Sequence, residues 1–259
     1  MLAQSWIVNR YDALSVSIHQ GSDLNNDCAI LFAGFTNSSS DIDYFMSRLA
    51  RLLGRSGLTV YLIDPRGHGD SSGNIDDVTL ESIREDIYNS FQYVTKRNNG
   101  YVFCIGHGLA GVLAADVLGG RSNLGFICIY PYLIHPSQFK IDLFCDEGKI
   151  DASRLESNFK ANLLDDEVED LSLMGAMGAD RGNMLGRELS IKLIEQLTTY
   201  NPFESLENFK ENILIINNEK DFVREVRFWK GRVRYLPRSP YAQEKIMRLV
   251  VDKINKWVK

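Results

Sequence analysis

Residues 106–111 read Gly106-His107-Gly108-Leu109-Ala110-Gly111 and lie between two apolar runs. The run before them, Tyr101-Val102-Phe103-Cys104-Ile105, has the unbroken apolar character of a buried strand. The run after them, Leu109 to Leu118, is small and apolar at helical spacing. Strand, sharp turn and helix in that order lift the crest residue out of the sheet, which is how a G-x-S-x-G elbow exposes a nucleophilic serine. A serine there performs acyl transfer when a histidine takes its proton and a carboxylate orients the histidine. In this chain the crest is Gly108, which carries no Oγ, and no histidine follows His135. With no Oγ on the crest, the usual route through an acyl-enzyme lacks its attacking atom.

The elements that must hold this turn are legible as alternating patterns. Continuous apolar runs at residues 28–33, 59–63, 101–105, 126–130 and 213–216 predict buried parallel strands. Helical spacing separates most of them: Phe45, Leu49 and Leu52; then Ile83, Ile87, Phe91 and Val94; then Leu109, Leu113 and Val117; and finally Ile246, Val250 and Ile254, ending near Trp257. Strands alternating with helices imply right-handed βαβ units and a sheet covered on both faces. Residues 6–9 and 14–19 are expected to pair as an antiparallel hairpin on the sheet edge, turning through residues 10–13. Ser40 or Asp41 is expected to cap the first helix, and Asp64 to cap the turn after its strand.

Residues 133–206 break the rhythm. They carry the acidic cluster Asp165-Asp166-Glu167 with Glu169-Asp170, then Met174-Gly175-Ala176-Met177-Gly178, and show helical patches but no convincing buried strand. The expected organisation is a core of residues 1–132 and 207–259 with an inserted helical cap over residues 133–206, placed above a pocket because sites in open α/β sheets lie at the carboxyl ends of strands.

Bulk properties exclude several classes. The 259 residues suit one α/β domain with an insertion; 44% are hydrophobic and 24% charged, as in an ordinary globular protein. A net charge of -5 gives no reason to expect nucleic acid or an anionic membrane surface. No apolar run approaches the roughly 20 residues of a membrane span, and the first residues lack a basic region followed by an apolar core. The four cysteines (Cys28, Cys104, Cys128, Cys145) have no metal-like spacing, and three lie in strand-like runs. They are expected to be reduced and structural, in a cytoplasmic protein. No phosphate loop follows the first strand, so neither a cofactor nor a metal is expected.

Four stretches in order resemble the α/β-hydrolase superfamily. Leu31-Phe32-Ala33-Gly34-Phe35 is similar to its oxyanion strand, and Asp64-Pro65-Arg66-Gly67-His68-Gly69-Asp70-Ser71 to its D-x-R-G-x-G-x-S loop. Residues 106–111 are similar to its elbow, and residues 213–221, Ile213-Leu214-Ile215-Ile216-Asn217-Asn218-Glu219-Lys220-Asp221, to the strand and loop that deliver the triad acid. The nearest likeness is to the serine-aminopeptidase, lysophospholipase and thioesterase-like group. The resemblance implies an α/β-hydrolase fold, with a mostly parallel sheet of about eight strands flanked by helices. It also implies an oxyanion hole made by the backbone N–H groups of Phe35 and Leu109, with Asp221 in the acid position.

The departures are as informative. The histidine would follow the last strand, residues 232–236, where the chain reads Pro237-Arg238-Ser239-Pro240-Tyr241, and Ala33 replaces the usual histidine before Gly34. Gly34, His107, His135 and Arg238 are expected against a substrate. His107, like His68, is a framework position rather than a base, and His135 opens the cap. Arg238 is positioned either to pair with Asp221 or to bind a substrate carboxylate. Ser71, Ser72 and Ser239 have no evident base and are not expected to be relocated nucleophiles.

Three functions follow as expectations. The first is an atypical enzyme acting on a carbonyl or acyl substrate by oxyanion stabilisation and Asp221 proton transfer: an isomerase, epimerase, cyclase or lyase of the kind used in specialised biosynthesis. The second is a pseudoenzyme binding a hydrophobic ligand or a carrier or partner protein. The third is an acyl hydrolase or thioesterase represented by a Ser-to-Gly variant.

Overall fold

A computed structural model of the protein describes residues 2–9, 12–22, 26–34, 41–133, 136, 145–146, 149–150, 190–207, 213–217, 233–235 and 240–257. In chain order the elements are β1 (Leu2–Asn9), β2 (Asp12–His19), β3 (Cys28–Phe32), α1 (Asp41–Arg55), β4 (Thr59–Ile63), α2 (Leu80–Thr95), β5 (Val102–His107), α3 (Leu109–Leu118) and β6 (Leu124–Ile129). They continue with β7 (Cys145–Asp146), β8 (Lys149–Ile150), α4 (Ile191–Leu197), α5 (Pro202–Glu207), β9 (Ile213–Asn217), β10 (Val233–Tyr235) and α6 (Pro240–Trp257).

Eight strands form one sheet in the order β1-β2-β4-β3-β5-β6-β9-β10. β1 and β2 form the edge hairpin, β2 runs antiparallel to β4, and every later pairing is parallel. Every residue of β3, β5, β6 and β9 is buried, which is why these strands read as unbroken apolar runs rather than as alternation. Their side chains divide between two cores. Ile30, Cys104, Cys128 and Ile215 pack with α2, α3, α4 and α5 on one face. Leu31, Ile105, Ile127 and Ile216 pack with α1 and α6 on the other.

Helix ends follow their local chemistry. The Thr79 hydroxyl accepts from the Ser82 N–H and the Ser82 hydroxyl accepts from the Thr79 N–H, a reciprocal capping box at the start of α2. Asp41 is the first residue of α1, while Ser40 lies outside the described residues. The Leu80 N–H donates to Gln196 Oε1 at 2.7 Å and ties α4 to α2.

Residues 133–206 are described only in part. β7 and β8 form a separate two-stranded antiparallel ladder. Toward the end of this stretch, Leu193, Leu197 and Leu206 are fully buried in the first core, so α4 and α5 are built into the body of the protein.

Candidate functional site

The carboxyl ends of β3, β5 and β6 meet at one place. The register aligns Phe32 with Gly106, and Gly106 with Cys128. Ala33-Gly34 and His107-Gly108 are therefore parallel extensions of neighbouring strands, and both Ala33 and Gly34 are buried. Gly108 caps the start of α3 with φ 59° and ψ −131°. A residue with a side chain stores about 1–3 kcal/mol in such a conformation, whereas glycine adopts it without that cost. The elbow therefore keeps its shape with no nucleophile on it. Its backbone is fastened on one side by the Gly108 N–H, which donates to the Ile129 carbonyl at 3.0 Å.

Close packing fixes the other glycines. A Cβ on Gly106 would overlap the Gly111 Cα, and a Cβ on Gly111 would lie 2.7 Å from the Gly106 carbonyl oxygen. These contacts let α3 start directly against β5. Leu109, the first residue of α3, is fully buried, and its N–H is among the first-turn donors that a helix leaves without an internal acceptor. The string G-H-G-L-A-G also matches G-x-G-x-x-G between strand and helix. In that motif an acidic residue about 20 positions on holds the ribose; here the corresponding stretch is Ile127-Cys128-Ile129-Tyr130-Pro131, with no acid.

The remaining motif residues are framework. His68 Nδ1 lies 2.8 Å from the Arg66 carbonyl, and the His107 ring packs edge-on to Tyr130 with centroids 6.0 Å apart. The Ser71 hydroxyl donates to the Asp64 carbonyl at 2.7 Å and accepts the Ser15 N–H at 2.8 Å. The Ser72 hydroxyl accepts the Ala13 N–H at 2.7 Å. Both serines stitch the loop to β2. The Asp64 carboxylate accepts the Asp70 N–H at 3.4 Å, closing its own turn. Arg66 spans from that loop to Asp12 at 2.8 Å and to Asp86 of α2 through two bonds of 2.7 and 3.1 Å. Burial pushes the Asp86 carboxyl up by more than the Arg66 guanidinium pulls it down.

Phe35, His135, Asp221 and Arg238, expected at the site from the sequence, lie outside the described residues, as does Ser239. The structure does bring together Gly34, His107, Gly108 and Leu109. A cavity of about 40 Å³ behind the elbow is lined by Phe32, Ala33, Leu109 and Ala110 together with residues of α2. Pockets for organic ligands run to about 300–1,000 Å³, so this one is a packing void of the scale of a single water.

Two polar groups beside the site were not singled out by sequence reasoning. Asn217 ends β9 at 1% exposure, and neither its amide oxygen nor its amide nitrogen has a hydrogen-bond partner among the described residues. Tyr132, three residues beyond β6 and fully buried, has a hydroxyl that is likewise unpartnered among them. Burial, with a smaller contribution from Tyr200, pushes this phenol up, so it remains a protonated donor. The Tyr130 N–H donates to the Ile216 carbonyl at 2.7 Å and keeps the two strands together past the end of β6. A buried polar group left without any partner costs about 1–3 kcal/mol. The available signal was an asparagine in phase with Ile213 and Ile215, closing an apolar strand.

Among the described residues no group of three or more His, Cys, Asp or Glu side chains is placed to hold a metal ion. No described helix is long and apolar enough to cross a membrane.

The comparisons agree with this geometry. The family model described as serine aminopeptidase, S33, matches residues 26–147. No curated protein matches by sequence. Among solved structures, Est1E from Butyrivibrio proteoclasticus with ferulic acid bound superposes with a TM-score of 0.68 at 15% identity, covering 97% of this chain and 99% of that one. The α/β-hydrolase GrgF from Penicillium sp. sh18 gives 0.68 at 12% identity, covering 99% and 98%. E-2-(acetamidomethylene)succinate hydrolase gives 0.60 at 15% identity, covering 98% and 100%. The matched family model spans β3 and the elbow, and the structural likeness runs the length of the sheet; the chain has the α/β-hydrolase fold, and residues 26–147 are similar to the serine aminopeptidase family.

Proposed function

We propose that this protein is an enzyme that uses the hydrolase scaffold without an acyl-enzyme. The observation that carries the reading is Gly108, at φ 59° and ψ −131°: the elbow conformation is kept while the atom that would attack is gone. What such an elbow presents is backbone. The Leu109 N–H, joined by that of Phe35, binds the carbonyl oxygen of a substrate and stabilises the negative charge that grows there as an enolate or oxyanion forms. Asp221 is the group we assign to move the proton, a carboxylate in the acid position of the motif that this chain leaves without a C-terminal histidine. Isomerisation, epimerisation, cyclisation and elimination all need this pair of functions and no more. His135 and Arg238 are assigned to the substrate, and residues 133–206 to a cap anchored on the body by α4 and α5.

The substrate class is an acyl or carbonyl compound. Est1E is seen with ferulic acid and another neighbour is named for a substituted succinate, which supports a carbonyl-bearing ligand over a nucleotide. The Asn217 amide and Tyr132 hydroxyl, unpartnered among the described residues, are assigned to its polar groups. The free buried thiols of Cys28, Cys104 and Cys128 fit a reducing compartment such as the cytoplasm.

The loss of nucleophile and base together also favours a second reading, a pseudoenzyme that binds a hydrophobic ligand or a carrier or partner protein. The third, a hydrolase represented by a Ser-to-Gly variant, has the missing histidine against it. The first two are separated by incubating the protein with a panel of acyl and carbonyl compounds in D2O and following deuterium entry beside the carbonyl by NMR. Exchange that Asp221→Asn abolishes supports the enzyme. Ligands that raise the melting temperature without Asp221-dependent exchange or turnover support the pseudoenzyme.

A further inference from the structure

α1 and α6 lie side by side on the second core, and the seam between them opens outward as a groove of about 540 Å³. Its floor includes Leu52 and the buried Met247. Its walls carry Arg48, Arg51 and Arg55 from α1 and Arg248 from α6, against a single acid, Glu244. Among the described lining residues, four cations against one anion give a local charge of +3 in a chain whose net charge is -5.

The three α1 arginines follow one another at steps of three and four residues, so they share one helix face over about 10 Å. Among the described residues none of them is neutralised by a carboxylate. Arg48 Nη1 donates to the Gln243 amide oxygen at 3.0 Å, and Arg51 Nε donates to the Ser47 carbonyl at 3.3 Å. Arg55 has no hydrogen bond or ion pair among the described residues. Glu244 stands 3.8 Å from Arg248, with both side chains largely exposed, an arrangement that holds neither in place. The uncompensated charge is felt nearby: the half-buried His19 imidazole is held below its ordinary value first by burial and then by Arg51. Like charges at this spacing cost a helix a few tenths of a kcal/mol per pair, so the cluster opposes the stability of the isolated fold.

We infer that this groove docks an acidic amphipathic helix of a partner protein. An apolar floor between guanidinium walls matches a helix with one apolar ridge flanked by carboxylates at the same three- and four-residue steps. Each guanidinium can engage such a carboxylate through two parallel bonds. Arg51, Arg55 and Arg248 are exposed while Arg48 is half-buried, and a row of cations spread over about 10 Å of helix suits a row of carboxylates better than one small anion. It also lies where a docked partner would matter. Arg48, midway along α1, bonds to Gln243 in the first turn of α6, and those helices start directly after the segments that carry Phe35 and Arg238. The inference stands on the groove alone and does not depend on which reaction the elbow supports.

The test uses the full-length protein and two fluorescein-labelled synthetic helices of about 18 residues. Both carry a leucine ridge; one is flanked by glutamates, the other by glutamines. Binding is read by fluorescence anisotropy. The inference expects the glutamate helix to bind at least about tenfold more tightly than the glutamine helix, and to weaken steeply between about 50 and 300 mM salt. Arg51→Glu with Arg55→Glu should weaken it at least about tenfold, with an unchanged circular dichroism spectrum, and Arg51→Gln with Arg55→Gln should fall between. Equal affinity for the two helices, no binding, or binding indifferent to charge reversal would each overturn the inference. So would tight, Arg-dependent binding of inorganic tripolyphosphate without any binding of the glutamate helix, because the groove would then be a small-anion site.

Discussion

The Gly108 N–H donates to the Ile129 carbonyl at 3.0 Å, so the crest of the elbow is fixed to β6 by main-chain atoms alone. Serine is not required for that fixation, and a serine put there must adopt φ 59° and ψ −131°. Gly108→Ser should therefore fold, lose about 1–3 kcal/mol in urea unfolding, and gain no esterase activity, because no histidine stands after the last strand to take its proton. A burst of acyl-enzyme in this variant would show that a base exists where the sequence has none.

The Gly106–Gly111 approach carries its own expectation. A Cβ at position 111 would meet the Gly106 carbonyl at 2.7 Å and the Cys128 Cα at 3.3 Å, backbone atoms that cannot rotate away. Gly111→Ala should cost about 1–3 kcal/mol of folding free energy by overpacking, read as a lower urea midpoint. Gly120 offers a control: a Cβ added there would meet nothing within 4 Å, but φ is +74°, so only backbone strain contributes.

Arg66 is predicted to be the costliest single surface-loop residue to remove. It binds Asp86 through two bonds and Asp12 through one, and both Arg66 and Asp86 are mostly buried. Arg66→Met leaves a buried carboxylate without its cation, a loss of about 3–5 kcal/mol. The double variant Arg66→Met with Asp86→Leu should recover much of it. Thermal unfolding of the two variants decides the matter; equal losses in both would refute the pairing as the cause.

His19 gives a pH dependence whose sign is fixed. Burial first, and the Arg51 charge second, hold its imidazole below its ordinary 6.5. In the unfolded chain it protonates at the higher pH, so the unfolded state binds more protons as pH falls from about 6.5 toward the depressed native value. Stability should drop across that window and be indifferent to His19 above it. His19→Gln should flatten the acid side of a plot of melting temperature against pH.

Much of this architecture is written in the chain. β4 is read from its β-branched and apolar run with the observed ends, because four of its five residues are buried. β1 reaches back to Leu2 rather than Trp6, since its outer face meets solvent and carries Leu2, Trp6 and Val8 with no periodic partner. β5 runs on through Gly106-His107 because its ladder with β6 continues to Ile129, a pairing that composition does not announce. Two-residue strands such as β7 and β8 are too short to have a period. At the site, the glycine crest is legible because its signal is a missing residue type in a known pattern. Asn217 is less so, because one asparagine after four apolar residues looks like the start of a loop until its burial is known. The arginine groove is illegible for a different reason: Arg48, Arg51 and Arg55 look like a solvated helix face until the fold brings Arg248 across from them.

The central claim is that chemistry here proceeds with no covalent acyl-enzyme. It is tested most directly by exposing the unmodified protein to a fluorophosphonate probe and to acyl esters and thioesters while following intact mass and hydrolysis together. The account predicts no adduct and no hydrolysis, with Gly108→Ser giving no esterase activity alongside it. A stable mass increase of one phosphonyl group on the unmodified protein, with matching ester turnover, would reveal a nucleophile elsewhere in the site and contradict it.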